Sequence, residues 1–136
     1  MFIELFADAN FAGGLGTVIL IHGRELEAYA ALLRTFRSLA LAENNEAGLH
    51  DVPGVRASGC RVSAVNQRGT WLRPEGIYAL EPKGTFRWHR DGEGWLEVAD
   101  KVESLLRAIT AGKSVVFQVL QESRDVTVIM SDTRGW

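Results

Sequence analysis

The chain has 136 residues, of which 46% are hydrophobic and 24% charged, and a formal net charge of -2. This length suits a single domain, residues 1–136, with one full core. It has no apolar run near the roughly twenty residues that span a bilayer, and the small net charge gives no global field toward nucleic acid or a membrane surface. Charge is unevenly spread, however: residues 1–55 hold seven acids against three bases, residues 56–90 two against seven, and residues 91–136 eight against five.

The opening MFIELFADANF has Glu4 and Asp8 among its apolar residues and does not read as a signal peptide. With a lone cysteine, Cys60, which cannot form an internal disulfide, this points to a cytoplasmic setting. FIELF and TVILI, joined by the glycine-rich ADANFAGGLG, predict a β-hairpin. From Arg24 to about Ala42 the period changes. Leu26, Tyr29, Ala30, Leu33, Phe36 and Ala40 fall at three- and four-residue spacings, the apolar stripe of a helix, and Glu25 and Glu27 suit the positive end of its dipole.

The polar stretch ENNEAGLHDVPGVRASG then predicts a long loop. CRVSAVNQ, TWLR, IYALE and TFRWHR follow as short β-rich pieces punctuated at Arg68-Gly69, Pro74-Glu75-Gly76 and Pro82-Lys83-Gly84, which reads as a meander. Alternation in the last piece places Phe86 and Trp88 on one face, Arg87 and His89 on the other. Asp91-Gly92 predicts a hairpin turn, with Trp95 starting the chain's return. From Trp95 to Thr110, Val98, Ala99, Val102, Leu105, Leu106 and Ile109 form a second helical stripe, with Gly112 as its cap. SVVFQVLQ and DVTVIMSD predict a terminal hairpin long enough to be central in a sheet, and Trp136 is expected to tuck back against it. The order ββαβββαββ implies an α+β domain: one curved, mainly antiparallel sheet with two helices packed on one face.

Motifs for chemistry fail one by one. AGKS, Ala111 to Ser114, lacks the upstream glycine and the following helix of a phosphate-binding loop. GGLGTV is followed by a strand, so no helix N-terminus is there to hold a pyrophosphate. His22, His50 and His89 have no metal-ligand spacing, and Cys60 lacks the local signatures of cysteine hydrolases. The sequence therefore offers no catalytic residue, no metal ligand set and no cofactor site.

The expected function is binding. Glu43, Glu46 and Asp51 follow the first helix, and Asp91 and Glu93 lie in the last turn of the middle third. Together they form a set of acids able to steer a basic protein partner, with Trp95 as a buried aromatic anchor. Small acidic α+β domains of this kind are similar in architecture to immunity and inhibitor proteins that occlude a toxin, such as a basic nuclease. An alternative uses Arg61, Arg68, Arg73, Lys83, Arg87 and Arg90, interleaved with Trp71, Tyr78, Phe86 and Trp88, to hold a single-stranded nucleic acid; the acidic overall balance counts against it. A third expectation is an accessory subunit of a larger assembly.

Overall fold

The first helix, α1, runs Leu26–Ala40, and it forms where the sequence period places it. Its buried face is Ala28, Tyr29, Ala31, Leu32, Leu33, Phe36 and Leu39, so the stripe read from the sequence is rotated: Leu26 is exposed, and Leu32 and Leu39 take the centre. The second helix, α2, runs Gly92–Thr110 and buries Trp95, Val98, Ala99, Val102, Leu105 and Ile109. It begins earlier than predicted because Asp91 is its N-cap. The Asp91 carboxylate accepts a hydrogen bond from the Gly94 backbone N–H at 2.7 Å. Asp-Gly is thus the start of a helix here and not a hairpin turn, since the same short acid side chain serves either role. This computed structural model describes residues 1–11, 14–67 and 74–136.

Nine strands accompany the helices among the described residues: β1 Phe2–Phe11, β2 Gly14–His22, β3 Glu46–Gly48, β4 Arg56–Ser58, β5 Arg61–Asn66, β6 Gly76–Leu80, β7 Thr85–Arg90, β8 Phe117–Glu122 and β9 Val126–Ser131. The predicted N-terminal hairpin is β1–β2, paired from Phe2↔His22 to Phe11↔Gly14 with an irregularity between Phe6 and Ala9. The predicted strand TWLR and the turn at Arg68-Gly69 lie outside the described residues.

The fold is α+β as expected, but the single sheet is corrected to two, and the antiparallel character is only partly matched. There are two sheets, ordered β4-β1-β2-β9-β8 and β3-β5-β7-β6. Four ladders are antiparallel, and three, β1–β4, β2–β9 and β5–β7, are parallel. The departure in the middle third has a simple cause. A three-strand meander puts its second strand in the centre, whereas β6 takes the outer edge of the sheet, so β7 lies beside β5 and runs parallel to it. β9 inserts between β2 and β8, pairing Thr17–His22 with Val126–Ser131, so β9 is central as read and β8 is an edge.

The helices pack on each other and share one core with both sheets, rather than lying on one face of one sheet. That core joins Ile3, Ile19, Ile21, Val128 and Met130 of the first sheet to Val62, Ala64, Phe86 and Trp88 of the second. The other face of the first sheet buries Val18, Leu20 and Ile129, with Phe6 packed against them. β2 is therefore covered on both faces, which is why it reads as the continuous apolar run TVILI. Trp136 meets Phe6 edge-on at 5.6 Å, and Arg134 donates to Glu4 Oε2 at 2.8 Å, laying the C-terminal residues against this face.

The predicted long loop is ordered at both ends of its course. β3 edges the second sheet, a short 3-10 turn spans Leu49–Asp51, and β4 edges the first sheet. Buried Leu49, Val52 and Val55 pin the segment to the core. Among the described residues no helix is long and apolar enough to cross a membrane.

Candidate functional site

Three of the six residues predicted to meet a partner gather where α1 ends and α2 begins. Asp91 and Glu93 start α2, and Glu43 follows α1, its backbone N–H donating to the Ser38 carbonyl at 3.0 Å. Gly92 brings the two helix ends together: a Cβ there would stand 2.9 Å from the Ala40 carbonyl oxygen, closer than side-chain atoms approach backbone.

Glu46 and Asp51 do not join them. Glu46 is on β3, with Arg87 Nη2 at 3.5 Å from its carboxylate. Asp51 lies beside His50, near the end of the second sheet where β5 begins, whereas α2 starts at the far end, after Arg90.

The expected anchor, Trp95, is corrected outright. It is 0% exposed, stacks on Phe36 at 5.7 Å, meets Trp88 edge-on at 4.9 Å, and donates from Nε1 to the Val65 carbonyl at 2.9 Å. Its first-turn position on α2 aims it into the core, where the indole satisfies its one polar atom. No partner can reach it.

What the helix ends do present is an apolar groove of about 510 Å³, lined by Arg37, Ala40, Leu41, Gly92, Glu93 and Leu96. Leu41 is 72% exposed and Leu96 52% exposed. Neither serves the core. The cations around them are already committed: Arg37 pairs with Glu103, and Arg90 lies 3.6 Å from Glu75 and 3.4 Å from Glu97. Glu93 in the lining and Glu43 just past the end of α1 form no ion pair among the described residues, so the one cation in the lining is neutralised while Glu93 is not. An apolar floor with a charged rim is the general anatomy of a protein interface.

Leu41 and Leu96 were missed in the sequence. Leu96 carried a signal: it stands off the stripe of Val98, Ala99 and Val102, and an off-stripe leucine on an amphipathic helix needs its own explanation. Leu41 just past the helix end gave none.

The other candidates are also placed. Phe86 and Trp88 are buried, which confirms the alternation in β7 and removes two stacking platforms from the nucleic-acid alternative. Arg87 and Arg90 are ion-paired. Trp71, Arg68 and Arg73 lie outside the described residues.

Cys60 and His50 do line one cavity. Burial, however, pushes the Cys60 thiol up to about 11, which favours the neutral form and disfavours a nucleophilic thiolate. His50 Nε2 meets Arg61 at 3.2 Å; a guanidinium only donates, so that nitrogen accepts. Among the described residues no group of three or more His, Cys, Asp or Glu is placed to hold a metal ion.

Comparison with protein-family models, with curated proteins and with solved structures finds no match to this chain.

Proposed function

We propose that this protein is a non-catalytic binding module that seats a protein partner in the groove between the end of α1 and the start of α2 and acts by covering that partner's surface. One observation carries the reading: two leucines, 72% and 52% exposed, wall a groove also lined by Glu93, which forms no ion pair among the described residues. Exposed apolar area in a folded domain marks an interaction surface when it is contiguous and polar-rimmed. The complementary partner presents an apolar side chain flanked by lysine or arginine. Glu43 and Glu93 would speed its approach, and the leucines would supply the desolvated contact. In its biological form this is an immunity or inhibitor protein neutralising a basic toxin, a nuclease domain being the obvious case.

The test is site-specific photo-crosslinking in the protein's own cells, with the photoreactive residue at Leu96 in one variant and at Leu26, also exposed but at the opposite end of α1, in another. A discrete protein adduct from position 96 and none from position 26 supports the reading. Equal labelling from both positions, or adducts to nucleic acid alone, would overturn it. An accessory subunit would differ by yielding a constant adduct within one large assembly.

A further inference from the structure

Among the described residues, folding divides the bases in the middle of the chain into two groups. Arg87 and Arg90 face carboxylates, whereas Arg56, Arg61 and Lys83 converge on one cavity of about 570 Å³. It is built by β4 and the turn from it into β5, by the turn from β6 into β7, and by His50 of the 3-10 turn. β5 and β7 are parallel with Arg61 opposite Thr85, so their N-terminal ends open on the same side. The two turns touch through backbone. Gly84, at φ +90°, sits where a Cβ would be 2.5 Å from the Gly59 carbonyl oxygen, and the Arg61 N–H donates to the Gly84 carbonyl at 2.8 Å. Any side chain at position 84 would force the wall open.

The chemistry of the wall is one-sided. It contains His50, Arg56, Arg61 and Lys83 and no carboxylate. Arg56, Arg61 and Lys83 make no ion pair among the described residues, although seven other basic side chains do: Arg24, Arg37, Arg87, Arg90, Lys101, Arg107 and Arg134. Asp51 is 3.4 Å from His50 Nε2 but is exposed and outside the wall. Cations held together without counter-charge repel one another and gain from an anion placed between them. Arginine forks suit phosphate oxygens in particular.

We infer that the cavity formed by Arg56, Arg61 and Lys83 is a binding site for the di- or triphosphate group of a small ligand. Its volume falls within the roughly 300–1,000 Å³ of small-molecule sites. Its lining has no Phe, Tyr or Trp, and its one aromatic ring, the His50 imidazole, is largely buried and engaged by Arg61, so it offers no broad platform of the kind on which a single-stranded nucleic acid stacks its bases. Charge and size together favour a compact polyphosphate over a nucleic-acid strand. The site is separate from the apolar groove and does not depend on the function proposed for it.

The experiment is calorimetric titration of the intact protein with inorganic tripolyphosphate at low salt. It compares the wild type, Arg61→Ala/Lys83→Ala, the charge-preserving Arg61→Lys/Lys83→Arg, and Arg34→Ala, which removes an exposed arginine of α1 far from the cavity in sequence. Circular dichroism melting of each variant reports folding. The expected result is saturable binding by the wild type, a loss of at least about tenfold in the double alanine variant, retention in the charge-preserving variant, and a change of less than about twofold in Arg34→Ala. No saturable binding by the wild type, or equal losses in the Arg34 and double alanine variants, would overturn the site. Tighter binding of an oligothymidylate than of tripolyphosphate, compared per phosphate, would overturn the ligand class.

Discussion

Replacing Trp95 by phenylalanine tests the placement of this residue in the core. The indole is fully buried, stacked on Phe36 at 5.7 Å and edge-on to Trp88 at 4.9 Å, with Nε1 donating to the Val65 carbonyl at 2.9 Å. Phenylalanine keeps the stacked ring but loses the hydrogen bond, at about 1 kcal/mol for a carbonyl that retains a second lone pair. The smaller ring leaves a void of roughly 40 Å³, which adds about 1 kcal/mol. The sum, about 2 kcal/mol, corresponds to a fall of about 7 °C in Tm for a domain of this length. Urea unfolding followed by far-ultraviolet circular dichroism measures it, with the denaturant slope expected to be unchanged. A loss below about 0.5 kcal/mol would refute the reasoning, because surface substitutions fall in that range.

Asp132→Ala is expected to cost at least about 3 kcal/mol in thermal or urea unfolding, since a buried carboxylate that accepts from the Val115 and Val116 N–H groups at 3.0 and 2.9 Å and pairs with Arg24 would leave all three without it; a cost under about 1 kcal/mol would contradict that pinning role. Burial holds the Cys60 pKa at about 11, above its ordinary 9.0, so the folded state keeps the neutral thiol while the unfolded chain ionises. The stability this gives is complete below pH 9 and is lost as pH rises toward 11, by about 2–3 kcal/mol in all. Tyr29, pushed up first by burial and then by the Asp132 charge, acts in the same sense at higher pH, so Cys60→Ala should flatten only the earlier part of the alkaline decline in unfolding free energy. Val115 is 80% exposed yet held at φ +56°, a conformation that disfavours a β-branched residue, so Val115→Gly should raise stability by about 0.5–1 kcal/mol despite glycine's entropy, and a lower Tm would count against strain there.

The sequence made the local elements legible and hid their partners. The α2 stripe read as Val98, Ala99, Val102, Leu105, Leu106 and Ile109 is almost the buried face observed, with Leu106 only partly covered, because a 3.6-residue period writes burial directly into the chain. Phe86 and Trp88 followed from the two-residue period of a strand in the same way. Pairing is different in kind. Nothing local to TVILI states that Val126–Ser131 will lie parallel beside it, although an uninterrupted apolar run was a hint of burial on both faces. The segment 43–59 misled because its polar composition is that of a loop, while three buried residues, Leu49, Val52 and Val55, suffice to dock it.

At the candidate site, Glu43, Asp91 and Glu93 were legible as loop and helix-start acids, and their meeting depended on the packing of two helices. Trp95 was misread because an aromatic beside Asp-Gly suits an exposed turn as readily as the first turn of a helix. The N-cap bond of Asp91 decides between them.

The measurement that bears most directly on the proposed groove is quantitative affinity capture by the tagged protein from its own cells, comparing the wild type with Leu41→Asp/Leu96→Asp and with the control Leu26→Asp, each at low and high salt. The account predicts one stoichiometric protein partner, recovered with the wild type and the control, reduced by high salt, and lost with the groove variant while the variant's melting temperature stays near that of the wild type. A partner recovered equally well by the groove variant would contradict it.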